Sequence, residues 1–165
     1  MAYTDVRLAT VMTRLIARLQ TSLSGTDANV FLVDDRRRLP LSPPGIPTYA
    51  VSFAGAEFDE GMFDGGGRNQ LVANPATVYV SIWSRVQRDE EGHAGIKLTD
   101  ATEGLLTLCH NVLDSLAGHM LLDGSGNEIL REPIIPGGIE EPADMSRDLS
   151  VIHLRFRLAH DWLFS

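Results

Sequence analysis

Histidine is the side chain in this sequence with the widest chemical reach, because imidazole titrates near neutrality and binds transition metals. The chain carries five histidines and one cysteine, Cys109. His110 and His119 are nine residues apart on one predicted helix, which puts them on different sides of it. Cys109 and His110 are adjacent and cannot face one ion together. The sequence has no His-Glu-x-x-His and no Cys-x-x-Cys, the spacings that bring two ligands to one metal. Ordinary surface or half-buried histidines are expected, with no metal and no cofactor. Cys109 beside an apolar helix stripe reads as core packing, and a single cysteine excludes an intramolecular disulfide, which suits a reducing compartment.

Asp123-Gly124-Ser125-Gly126-Asn127-Glu128 places oxygen donors where a calcium loop has its first, third and fifth ligands. The sixth place, glycine in such loops, is Glu128, and the twelfth, a bidentate acid, is Ile134. A turn ending a helix is the reading that remains. Gly65-Gly66-Gly67 lacks the preceding strand, following helix and Lys-Ser/Thr of a phosphate loop. No Gly-x-Ser-x-Gly elbow is present. An enzyme could still assemble a site from scattered groups such as His153, His160 and Asp161, since triads are defined by geometry. Nothing in the pattern activates them, and a non-catalytic protein is expected. A small-ligand module on the same scaffold would need a closed apolar pocket.

Two basic clusters stand against an acidic background. The 165 residues carry 22 acidic and 14 basic side chains, a net charge of -8. Such a chain does not hold nucleic acid through its overall field, because that binding rests on neutralising phosphates. Arg36-Arg37-Arg38 follow Asp34-Asp35 in a loop, and Arg155 and Arg157 share one side of the last strand. They are either solvated and partly self-paired charge or contacts for an acidic partner surface, such as another subunit's Asp89-Glu90-Glu91 or Glu140-Glu141.

The elements that must position these groups form one α+β domain over residues 1–165. Leu8, Met12, Leu15, Leu19 and Leu23 make one helical stripe within a helix from Asp5 to Leu23, with Thr4 as N-cap and Gly25 as its end. Ala101, Leu105, Leu108, Val112 and Leu116 make a second, over Asp100 to Leu122, with Asp100 and Glu103 at capping-box spacing and Thr99 an equal candidate for the cap. Strands are expected at 29–33, 49–53, 77–86 and 150–164. In the third, Val78, Val80 and Ile82 alternate with Tyr79, Ser81 and Trp83. In the last, Ile152, Leu154, Phe156 and Leu158 alternate with Val151, His153, Arg155, Arg157 and Ala159. The order predicts a mainly antiparallel sheet with both helices on one face. Long loops are expected over about 34–48, 54–69 and 123–148, marked by proline and glycine. Because both faces of the long strands carry large side chains, the outer one is expected to be covered by a helix or by a neighbouring subunit. Its candidate contacts are Arg36, Arg37, Arg38, Tyr79, Trp83, Arg155 and Arg157. No apolar run approaches the roughly 20 residues that span a bilayer. Met1–Asp5 show no basic run before an apolar core, so synthesis and assembly in the cytoplasm are expected.

The N-terminal amphipathic helix, the strand Thr77-Val78-Tyr79-Val80-Ser81-Ile82-Trp83, the helix with Leu105-Leu106-Thr107-Leu108-Cys109-His110-Asn111-Val112, and the long closing strand together resemble a tail terminator or tail-completion protein of a tailed bacteriophage. The likeness covers nearly the whole chain in element order. It implies a ring of copies, usually six, that caps the tail tube, ends its polymerisation and offers a surface to the head-tail connector proteins. It also implies location in the virion neck, with DNA passing through the lumen unbound. The large proline- and glycine-rich segments depart from a minimal terminator and leave a head-completion or other connector role open.

Overall fold

Alternation along two 14-residue strands decides the architecture. In the computed structural model the described residues are 7–26, 29–34, 47–56, 72–85, 104–140, 143–146 and 149–162. Strands β3 (Val72–Arg85) and β6 (Leu149–Trp162) pair antiparallel from end to end, Val72 opposite Trp162 and Arg85 opposite Leu149. Ala76, Val78, Val80 and Ile82 thereby meet Leu158, Phe156, Leu154 and Ile152, and each is at most 1% exposed. Burying a side chain of this kind stabilises by about 1.5–3 kcal/mol, so this one register anchors the core.

Strand β2 (Thr48–Ala56) runs antiparallel along the other side of β3, and β1 (Val30–Val33) runs parallel to β2. Strands β4 (Ile135–Ile139) and β5 (Ala143–Ser146) both pair antiparallel with β6. After β4 the Glu140 amide donates to the His153 carbonyl of β6 at 2.9 Å. The sheet order is β1-β2-β3-β6-β4, with β5 beside β6. The fold is α+β with a mainly antiparallel sheet, as predicted.

Helices α1 (Leu8–Ser22) and α2 (Leu105–Leu116) share the core with one sheet face. Val11, Met12, Leu15 and Leu19 are buried from α1; Leu105, Leu108, Cys109, Val112 and Leu116 are buried from α2. Neither helix has a side-chain N-cap: Arg7 and Gly104 stand there, not the predicted Thr4 and Asp100, which lie outside the described residues. Packing of the apolar stripe therefore holds both helices, as is usual for short ones. Arg18 Nε donates to the Ser115 carbonyl at 2.6 Å, satisfying an orphan acceptor in the last turn of α2 and tying the helices together. At the end of α1, Ser24 takes φ 52, and Gly25 is required for a close approach: a Cβ there would lie 2.5 Å from Val30 Cγ2.

The structure corrects the predicted boundaries. α2 stops at Leu116, not Leu122, because Ala117 is extended, Gly118 takes φ 74 and the Gly118 amide turns to the Ile134 carbonyl. His119 is therefore past the helix. The Asp123 turn does not end a helix; it closes a small bridge between Leu122 and Glu128. β2 continues to Ala56 through a bulge between Phe53 and Gly55, and β3 begins at Val72. The span 123–148, expected to be loop, contains β4 and β5 and buries Ile129, Leu130 and Ile134. Proline is tolerated in β4 because the strand lies at the edge. The expected runs 35–46 and 57–71, and with them Arg36, Arg37, Arg38 and the Gly65-Gly66-Gly67 run, lie outside the described residues, as do Asp89-Glu90-Glu91.

Both sheet edges are blunted. On β1, the Val30 amide donates to the Thr26 carbonyl at 2.9 Å and its carbonyl accepts from Gln20 Nε2 at 3.1 Å. On β4, Pro136 has no amide hydrogen, and the Gly137 carbonyl accepts from an Arg155 guanidinium NH2 at 2.8 Å.

Candidate functional site

The face of the sheet turned away from the helices is divided along its length. At one end, Trp83 packs with Ala50 and Val151, flanked by Phe31, Val33 and Leu149. Trp83 is 1% exposed, so this end is covered from within the chain. Ser81 and His153 form a seam, their Oγ and Nδ1 hydrogen-bonded at 2.7 Å. Beyond the seam the face opens into a groove of about 790 Å³ whose floor carries Tyr79, Thr77, Arg155 and Arg157, with Gly55 on one wall and Ile135 on the other.

The long register places every floor residue. Tyr79 lies opposite Arg155 and Thr77 opposite Arg157. The two arginines are both exposed and two residues apart, so their Cα atoms are separated by about 7 Å along the strand. Arg155 is held against β4 by its bond to Gly137; a Cβ on Gly137 would lie 3.1 Å from Arg155 Nε, so glycine lets the guanidinium lie on the backbone. Among the described residues neither arginine has a carboxylate partner. Ile135 and Ile139, 42% and 51% exposed, flank the same strand.

Of the predicted contacts, the register gathers Tyr79, Arg155 and Arg157 into one groove. It takes Trp83 away from them: that side chain is core, not accessible surface. The outer face is thus satisfied internally at one end and open at the other. Ile135, Pro136 and Gly137 were missed as the second wall, since Pro-Gly-Gly reads as loop. The signal was the length of β6: a strand of 14 residues needs partners on both sides, and a hairpin arm just before it is the nearest source.

The other groups considered for chemistry fall elsewhere. His153 and His160 project to opposite faces of β6, so they do not share a site. His110 Nε2 lies 3.5 Å from Asp114 on the exposed side of α2. No group of three potential metal ligands occurs among the described residues. Asp123 is engaged locally: Asn127, through its side chain and amide, and Ser125 donate to its carboxylate, which holds it below the usual carboxylate range. No helix among the described residues is long and apolar enough to cross a membrane.

A second depression, of about 600 Å³, lies between the ends of α1 and α2 and exposes an edge of Tyr49, Arg18 and Asp114. Burial pushes the Tyr49 phenol from 10.0 up to about 12, with a further contribution from Cys109, and pushes the Cys109 thiol from 9.0 up to about 11. Both groups are neutral in the fold at pH 7. The unfolded chain releases their protons first, so the stability they permit is intact below pH 9 and falls as pH rises toward about 12. Urea midpoints measured at stepwise alkaline pH should decline from about pH 9, and a flat profile would show that these groups titrate alike in both states.

No protein-family model matches the chain, and no curated protein matches it. Among solved structures, a chain of the virion of a native gene transfer agent particle is similar to it over 93% of each chain, at 18% identity and a TM-score of 0.45. Role is read from the site and not from such a likeness.

Proposed function

We propose that this chain is a non-catalytic structural component of a phage-like virion neck, forming a ring of the tail-terminator type that caps a tail tube and meets the head connector. The observation that supports assembly is the open groove: two exposed guanidinium groups without carboxylate partners among the described residues, in a chain of net charge -8. Two like charges on neighbouring positions of one face repel each other, and an acidic protein surface relieves them. A ring of such acidic subunits would repel passing DNA and not retain it. The head-completion reading uses the same surface with a different neighbour.

Size-exclusion chromatography with light scattering, on the chain alone and with tail tubes, tests the proposal. A closed oligomer, or retention on tube ends, is expected. A monomer that never associates with itself or with tubes would overturn it. The ligand-module reading has one favourable observation, a groove volume within the usual range for small-molecule sites. Its charged, open floor is not the closed apolar pocket that reading needs, and a large thermal shift with a metabolite would be the sign in its favour.

A further inference from the structure

We infer that the groove over Arg155 and Arg157 receives residues 57–71 of a second copy of this chain. The inference rests on the assembly reading and names the contact that would carry it. The groove asks for an occupant with carboxylates for two guanidiniums whose Cα atoms stand about 7 Å apart and apolar groups for Ile135 and the Tyr79 ring. The connection between β2 and β3 has that chemistry. Its sequence, Glu57-Phe58-Asp59-Glu60-Gly61-Met62-Phe63-Asp64 followed by the glycines and Arg68, sets four carboxylates against one guanidinium and interleaves them with Phe58, Met62 and Phe63.

Length and placement favour the same segment. Hairpin connections usually take 2–5 residues, and this one has fifteen between Ala56 and Val72. At about 3.3–3.6 Å per residue its midpoint can stand about 25 Å from its roots, beyond the radius of gyration of about 15 Å for a domain this long. Its roots lie at the rim, because Gly55, Ala56 and Pro75 themselves line the groove. A segment of this reach can meet the groove of a facing copy. Exchange of identical elements between copies is a low-cost route to association.

Two full-length variants test this: R155E/R157E, which reverses the groove, and D59K/E60K/D64K, which reverses the segment. Each alone should lose self-association by about a hundredfold or more, and an equimolar mixture should regain it, because each variant then supplies what the other lacks. A mixture that stays monomeric, as it would if each segment served only its own chain, overturns the inference. So does a variant that associates like the unaltered chain; the assembly reading would survive that result. An unaltered chain monomeric at about 100 µM overturns the inference, and one that also fails to bind tube ends removes the assembly reading as well. Should a variant fail to fold, the unaltered chain decides: carboxylate–guanidinium contacts predict association that weakens at least about tenfold when salt is raised to several times physiological strength, and salt-independent association overturns the inference.

Discussion

Trp83→Ala is expected to lower stability by about 3–5 kcal/mol, the range for losing a large aromatic from a packed site. Trp83 is 1% exposed and packs with Ala50 and Val151 on the outer face, so truncation leaves a cavity there. With a total stability of about 5–15 kcal/mol for a domain and about 2–4 °C per kcal/mol at this size, the melting temperature should fall by roughly 10 °C. Trp83→Phe should cost much less. The indole Nε1 is buried with no hydrogen-bond partner among the described residues, and removing an unsatisfied donor recovers part of the packing loss. Chemical denaturation of both variants distinguishes the two terms. If alanine and phenylalanine were equally costly, the unsatisfied indole would have no energetic weight. If neither changed stability, Trp83 would not be core at all.

The double variant Arg155→Ala, Arg157→Ala should behave in the opposite way. Both side chains are exposed, and their only described hydrogen bond is that of Arg155 to Gly137. Exposed positions of this kind usually move stability by about 0.5 kcal/mol or less, with up to about 1 kcal/mol more for the lost bond to the backbone. Association should suffer far more, by 2 kcal/mol or more, about thirtyfold in affinity, as arginine anchors at interface centres do. Sedimentation equilibrium beside a urea melt gives both numbers on one sample. An unfolded or strongly destabilised double variant would place these arginines in the fold's own support. Unchanged association would leave the groove without the role assigned to it.

What the sequence revealed follows from where periodicity was undisturbed. β6 and the core of β3 were legible because a two-residue alternation with large side chains on both faces has one physical reading. Both helices were legible from Leu15, Leu19, Leu108 and Val112, although their ends were not: Arg7 and Gly104 stand at the N-caps with no side-chain cap bond, so packing and not capping fixes where they start. β4 was hidden because Pro136-Gly137-Gly138 carries no alternation. Its pairing is dictated by the open side of β6, a tertiary fact. Tyr79, Arg155 and Arg157 were identified because strand parity is readable from sequence. Trp83 shares that parity, so only the packing of Phe31, Val33 and Leu149 about it could show that it is core.

The treatment of the sheet borders has a consequence for how copies of this chain could meet. Where a border strand offers free amides and carbonyls, each added molecule recreates the template it joined, and growth has no natural stopping point. Here Gln20 and Thr26 occupy Val30 at one border, and proline with the Arg155 guanidinium occupies the other. Main-chain zippering is closed off at these positions, and contact is left to side chains whose shape and charge fix an angle between neighbours. A fixed angle either closes or fails to close, so under the proposed ring reading such a subunit would count its copies in a way that an extendable ribbon cannot.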